Sequence, residues 1–365
     1  MFHPIKQSDM EALAAYQRQL WKHPKLRYLF FELTDKCNLH CRHCGSGCTE
    51  KNHAFLPYAD IEKILHSVEE HYDPRSIMIC LTGGEPLLYP ELYEVIAKAR
   101  SLGFPIGITT NGTLIDEKAA RCLAQADMNT VAVSLDGMKP EHEALRLSDD
   151  CFEKAVAGIS ALQRSGFFPQ VTTVVHRNNL SSLDALYQYL LRLGVDSWRL
   201  VSIDPIGRAN VNRELLLNGA ELKQLFAYIR SKRFDDNNPM EVTYGCSHFA
   251  SLSFEREIRD FYFQCGAGTM VASVTAHGNI RACLDIERRP DLIQGNIYRD
   301  DFIDVWENRC QVFRKDRTEK SAICRDCQWK SICLGDSAHT WDYDNLQPRY
   351  CAAKLIGRFD DESAI

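Results

Sequence analysis

The sequence predicts an α/β fold: a partial (β/α)6 TIM-type barrel followed by a smaller, cysteine-rich C-terminal domain. Three observations predict it. Strand-like apolar runs alternate with amphipathic helical patterns from residue 28 to 203. Short motifs built on Gly, Asn and Asp directly follow successive runs. The fifteen cysteines crowd just after the first run and again in the last third of the chain.

The strand-like runs fall at 28–34, 77–81, 105–110, 130–135, 171–175 and 198–203. Between the first two, Ile61, Ile64, Leu65, Val68 and Tyr72 recur at spacings of three and four, which puts them on one helical face. Parallel strands joined by right-handed helical crossovers curl into a barrel or wedge whose post-strand loops carry the chemistry. The expected organisation is an N-terminal arm at 1–27, the barrel at 28–205, a bridging segment at 206–250 and the cysteine-rich domain at 251–365.

Composition limits the function. A chain of 365 residues, 45% hydrophobic and 25% charged, describes a globular protein of about two domains. The N-terminus lacks an apolar signal core, and no run approaches the roughly 18 apolar residues of a membrane span, so a cytoplasmic protein with no membrane contact is expected. A net charge of -6 and a pI near 6.1 leave no basic footprint for nucleic acid. Fifteen cysteines in a reducing compartment point to metal rather than disulfides.

The most informative run is Thr34-Asp35-Lys36-Cys37-Asn38-Leu39-His40-Cys41-Arg42-His43-Cys44, directly after the first strand. Tetrahedral iron–sulfur centres normally take four cysteines, so a tight trio implies another group at the last iron. A zinc knuckle or a disulfide is the alternative, but zinc sites usually pair C-x2-C units with further Cys or His. After the second strand comes Thr82-Gly83-Gly84-Glu85-Pro86, either a plain turn or a place of close backbone approach to a ligand. Thr110-Asn111-Gly112 and Ser134-Leu135-Asp136-Gly137 follow the next two strands and read equally as a turn and a helix cap. Arg146 is either a surface cation or a bidentate partner for a carboxylate.

The C-x3-C-x2-C spacing, the ring of His43 before the third Cys and the order of the later motifs resemble the radical S-adenosylmethionine (SAM) superfamily. The resemblance implies a [4Fe-4S] cluster on Cys37, Cys41 and Cys44 whose open iron chelates SAM, and reductive cleavage to a 5′-deoxyadenosyl radical. It further implies a SAM site made by His43, Gly83, Gly84, Glu85, Pro86, Asn111, Ser134 and Asp136, with Arg146 on the SAM carboxylate.

In the last third, Cys265, the G-x4-C run from Gly278 to Cys283, the C-x2-C-x5-C run Cys324, Cys327, Cys333, and Cys351 resemble the SPASM extension of radical SAM maturases. That implies one or two auxiliary [4Fe-4S] clusters; a zinc ribbon is the alternative for this portion. Ser337 stands where a further Cys is expected. The outer set of Cys324, Cys327, Cys333 and Cys351 is complete, whereas the inner one keeps Cys265 and Cys283 and has Cys246 as a recruit. A single cluster on Cys324, Cys327 and the hairpin pair is the other arrangement. Asp285 is the expected base, ahead of His339 and Asp336. Cys48, Cys80, Cys122, Cys151 and Cys310 read as small apolar core residues.

The expected activity is oxidative modification of a peptide or small-protein side chain, as a crosslink, thioether or similar maturation, with a flavodoxin or ferredoxin-type reductant. The arm at 1–27 is shorter than the leader-binding domain of some maturases. A small-molecule reaction such as tetrapyrrole side-chain decarboxylation or sugar oxidation is the second reading, and a non-catalytic electron carrier the third.

Overall fold

In the computed structural model, residues 7–245 and 248–356 are described. Helix α1 (Gln7–Lys22) precedes β1 (Tyr28–Glu32), after which strands and helices alternate: α2 (Tyr58–His71), β2 (Met78–Thr82), α3 (Leu92–Ser101), β3 (Ile106–Thr110), α4 (Glu117–Gln125) and β4 (Thr130–Ser134). Next come α5 (Lys139–Arg146), α6 (Cys151–Arg164), β5 (Gln170–Val175), α7 (Leu183–Arg192) and β6 (Ser197–Ser202). All six strands expected from the sequence are present, and the pairs from β1–β2 to β5–β6 are parallel.

Alternation of burial explains why these short segments are strands. In β5 the side chains of Val171, Thr173 and Val175 are buried, whereas Thr172 and Val174 between them are only partly covered. Helix α2 closes the other side with Ile61, Ile64, Leu65 and Val68, all buried; each contributes about 2 kcal/mol of apolar burial. Asp116 starts α4 by accepting the Ala119 N–H at 2.7 Å, so the chain turns sharply between strand and helix.

The sheet has more strands than the sequence suggested. The segment read as a bridge supplies α8 (Gly219–Arg233), opened by an Asn218/Glu221 capping box, and β7 (Glu241–Tyr244), parallel to β6. After α9 (Leu252–Ile258), β8 (Val271–Val274) pairs in parallel with the free edge of β1, and β9 (Asn279–Arg281) and β10 (Gly295–Asn296) follow antiparallel. The order is β10-β9-β8-β1-β2-β3-β4-β5-β6-β7. The hairpin of the cysteine-rich domain is therefore continuous with the barrel sheet, beside the strand that leads into the first cysteines. Short elements complete the chain: α10 (Phe302–Asn308), α11 (Lys330–Cys333), the β11–β12 ribbon (Trp341–Asp342, Gln347–Pro348) and α12 (Ala352–Ile356). Among the described residues no helix is long and apolar enough to cross a membrane.

Candidate active site

The loop after β1 is tied down by its own backbone and by two distant segments. The Cys37 N–H donates to Thr49 O at 3.0 Å, and the Arg42 N–H to Leu145 O at 2.9 Å. Arg208, in the loop after β6, donates from Nε to Cys41 O at 2.6 Å and from Nη1 to Cys48 O at 3.1 Å, while its own N–H meets Cys44 O at 3.0 Å. The loop thereby packs Cys37, Cys41 and Cys44 into one group with Leu39, Cys48 and Cys151. Burial pushes the Cys37 thiol up to about 12, so a cation must arrive before it gives up its proton. Contact with the Cys48 thiol holds Cys44 below the usual thiol range. Cys48 is buried in that cluster, as the sequence suggested, and it also sits against a candidate ligand.

Gly83 and Gly84 are required by distance. A Cβ on Gly84 would lie 2.1 Å from Lys36 O and one on Gly83 2.6 Å from Thr34 O. The Gly84 and Glu85 N–H groups donate to Thr34 O and Lys36 O at 2.7 and 2.9 Å. Pro86 opens a short 3-10 turn and is buried. Glu85 is fully buried, and its oxygens accept from Thr110 Oγ1 at 2.6 Å, the Asn111 N–H at 2.8 Å and the Leu87 N–H at 3.2 Å. Its carboxylate thus latches the loops after β2 and β3 together. Asn111 extends the latch to the cysteine loop, donating from Nδ2 to Asn38 Oδ1 at 2.9 Å. Ser134 ends β4 opposite Thr172 and is partly exposed.

Asp136 and Arg146 form a buried pair, Nε to Oδ2 at 2.6 Å. Burial opposes ionisation of Asp136, but Arg146 outweighs it and holds the carboxyl far below its usual range. The pair uses Nε, which leaves the Nη nitrogens for a second anion. Close by, His43 Nδ1 and His176 Nε2 are buried without a hydrogen-bond partner among the described residues. Burial lowers the His43 ring to about 4 and His176 in the same direction, so both are neutral and each can bond a polar ligand. Orphaned buried nitrogens beside a thiol trio suit an iron–sulfur cluster carrying a polar adenosyl ligand.

In the C-terminal domain, Cys324, Cys327, Cys333 and Cys351 are near enough for their charges to interact, Cys333 with Cys324 and Cys351, and Cys351 with Cys324 and Cys327. Cys265 and Cys283 border an apolar cluster that includes Phe313 and Ala338, and Cys265 also borders, together with Cys333, the cluster of Phe249, Phe263 and Ile332. The Ala338 N–H points at Cys265 Sγ from 3.3 Å, and Ser337 beside it is fully buried. Cys246 lies outside the described residues. Asp285 is exposed, its Oδ2 4.0 Å from Cys283 Sγ.

The same architecture is found in known proteins. Residues 31–190 match the radical SAM superfamily, and residues 265–328 match the SPASM iron-sulfur cluster-binding domain. The chain is 30% identical over 315 residues to the mycofactocin maturase MftC of Mycobacterium ulcerans, covering 84% of this chain and 81% of the relative. The chain belongs to the radical SAM superfamily. Its core binds a [4Fe-4S] cluster and SAM, its SPASM domain binds auxiliary iron–sulfur clusters, and the protein is an enzyme.

This radical SAM enzyme is also 27% identical over 346 residues to the AdoMet-dependent heme synthase of Methanosarcina barkeri, covering 89% of this chain and 96% of the relative. Among solved structures, Streptococcus suis SuiB bound to S-adenosylmethionine superposes with a TM-score of 0.70 at 18% identity, covering 92% of this chain and 79% of that one. The anSMEcpe structure with AdoMet and Cp18Cys peptide gives 0.66 at 22%, covering 87% and 90%. Both share its fold.

Several residues of the site escaped the sequence reading. His176 and Asn179 follow β5 as the other motifs follow their strands, and that position was the available signal. Asn179 Nδ2 donates to Asp136 O at 2.6 Å. Arg208, Glu32, Arg288 and Asp204 carry no local motif; only the fold brings them to the cysteine loop or the domain junction.

Proposed function

We propose that this enzyme cleaves SAM reductively and uses the resulting radical to oxidise a side chain of a peptide or small protein, forming a crosslink, a thioether or a similar product. Cys37, Cys41 and Cys44 hold the core cluster, which when loaded supplies the electron that breaks SAM. Arg146 meets the SAM carboxylate through its Nη nitrogens while Asp136 fixes its Nε. The Gly83-Gly84 backbone borders the SAM amino group, and His43, Asn111 and Ser134 line the rest. Cys324, Cys327, Cys333 and Cys351 would hold an auxiliary cluster, which would supply an electron acceptor beside the substrate. A cytoplasmic flavodoxin or ferredoxin-type protein is the reductant.

The observation that favours a peptide over a tetrapyrrole is how the arginines near the strand ends are used. A ligand with several carboxylates needs guanidinium groups that are free to pair. Here Arg208 spans the carbonyls of Cys41 and Cys48, Arg281 donates to the carbonyls of Ile286 and Glu287, and Arg288 pairs with Glu32. A peptide brings fewer charges, and the sheet ends in two edges, β7 and β10, which leave an open side for an extended chain. The second reading, tetrapyrrole side-chain chemistry, is favoured by the 96% coverage of the heme synthase.

The test is to purify the protein anaerobically, reconstitute it with iron and sulfide, and measure dithionite-dependent 5′-deoxyadenosine release with Cys-, Tyr- and Trp-containing peptides or with a propionate-bearing tetrapyrrole. Loss of two hydrogens from a peptide in step with 5′-deoxyadenosine supports the first reading. Loss of carbon dioxide from the tetrapyrrole replaces it with the second.

A further inference from the structure

Asp204 stands two residues past β6, on the loop whose Gly207 packs against the carbonyls of Cys44 and Gly45. Its carboxylate meets two histidines from beyond β7. Oδ1 accepts from His248 Nε2 at 2.5 Å, and Oδ2 accepts from His339 Nε2 at 2.8 Å. His248 reaches Asp336 Oδ2 through Nδ1 at 3.3 Å, and Asp336 Oδ1 accepts the Phe249 N–H at 2.9 Å. Carboxylate and imidazole thus alternate from Asp336 through His248 and Asp204 to His339.

Both ring nitrogens of His248 face carboxylate oxygens, which only accept, so this ring carries a proton on each. Two carboxylates and one imidazolium leave a single negative charge beside His339, which a proton on His339 would cancel. Asp204 also fixes the tautomer. Because Nε2–H donates to Asp204, the lone pair of His339 is on Nδ1, which has no hydrogen-bond partner among the described residues. His248 is sealed at 0% exposure, whereas His339 retains 8%. His339 directly follows Ala338, whose N–H touches Cys265, and it feels the charge of Asp285. The backbone leading to it is left-handed at three consecutive residues, Leu334 (φ 55°), Gly335 (φ 93°) and Asp336 (φ 60°). Such conformations in residues with side chains persist where the surroundings over-determine them, commonly at functional sites.

We propose that His339 Nδ1 is the base of the reaction and Asp204 its positioning residue. The proposal rests on the oxidative reading above. In that oxidation the substrate gives one hydrogen atom to the 5′-deoxyadenosyl radical, one electron to an oxidised iron–sulfur cluster and one proton to His339. A C–H and an X–H bond are thereby exchanged for a C–X bond. Asp285, exposed and two residues from Cys283, adds to the negative field around His339 rather than taking the proton.

The test uses the reconstituted full-length protein and diethyl pyrocarbonate at alkaline pH, where His339 has given up the proton that the surrounding carboxylates favour, with modification of each of the twelve histidines followed by mass spectrometry. His339 should react at least as fast as exposed His53 although it is largely covered, and His248 should stay unmodified until the protein unfolds. Asp204→Asn, compared at equal iron content, should slow the reaction at His339 about tenfold or more, because the tautomer is no longer fixed. With a turned-over peptide, His339→Gln should lower product per 5′-deoxyadenosine about a hundredfold. A His339 that reacts more slowly than His53, or equally in wild type and Asp204→Asn, overturns the proposal. Wild type that releases no 5′-deoxyadenosine would instead overturn the oxidative reading, and the reagent rates would still report on His339. Should Asp204→Asn fail to fold, the comparison of His339 with His53 in the wild type decides.

Discussion

Gly84 sets the distance between the first two post-strand loops. Its hydrogen Cα leaves room for Lys36 O and Cys37 Cβ, which a Cβ would meet at 2.1 and 2.8 Å. Gly84→Ala should cost about 3 kcal/mol and displace the cysteine loop, to be read as a lower melting temperature and less than the wild-type iron per chain. His142 gives a pH prediction. Its Nδ1 accepts the Asp136 N–H at 2.9 Å, which needs a neutral ring, and burial lowers it to about 4. A histidine depressed in the folded state is protonated first in the unfolded one. The stability it contributes is therefore complete above its unfolded value near 6.5 and declines toward pH 4, at up to about 1.4 kcal/mol per pH unit. Urea titrations across that window should show the decline, and His142→Gln should lessen it, with His43 and His176, lowered by the same burial, supplying the rest. At this scale the sequence was partly legible. The positions of Cys37, Cys41, Cys44, Gly83 and Gly84 could be read from spacing, but Glu85 could not be seen as a latch because its donors, Thr110 and Asn111, come from another strand end.

The cysteine loop is held as a unit by an element far away in sequence. Arg208 makes several charge-assisted hydrogen bonds to its carbonyls, and removing a charged donor from partly buried acceptors costs about 2–3 kcal/mol. Arg208→Ala should accelerate iron loss to a chelator from the core site about tenfold or more. Arg208→Lys should rescue little of this, since a single ammonium does not span Cys41 O and Cys48 O as a planar fork does. Among the C-terminal cysteines, Cys265 shares one apolar cluster with Cys283 and another with Cys333. Cys324→Ala should remove close to a cubane's iron, whereas Cys265→Ala should remove less, because Ser337 already interrupts the inner set; iron and sulfide analysis of the two variants reads the difference. The strands with long β-branched runs were legible as elements. The four-residue β7 and β8 were not, because so short a segment has no period of its own and becomes a strand only when β6 or β1 offers an edge.

At the scale of the whole molecule, the two domains share one sheet. β8 covers the edge of β1, and Arg288 of the same hairpin region pairs with Glu32 at the end of that strand. A chain ending near residue 250 would expose the β1 edge and leave Glu32 buried without its cation, so it should aggregate on expression while the full chain stays monodisperse in size-exclusion chromatography. By itself, the sequence determined the alternation of strands and helices from β1 to β6, the motifs that follow the first four strands, and the close spacing of Cys37, Cys41 and Cys44. These are properties of spacing, and spacing survives in a linear string. Tertiary structure alone decided that Arg208 clamps the cysteine loop, that Cys48 lies against Cys44, and that Asp204 meets His248 and His339 across the domain junction. Those partners are 44 and 135 residues from Asp204. Their attraction falls off with distance and needs burial to matter, so no local pattern encodes it, and only chain closure into a continuous sheet brings the charges together.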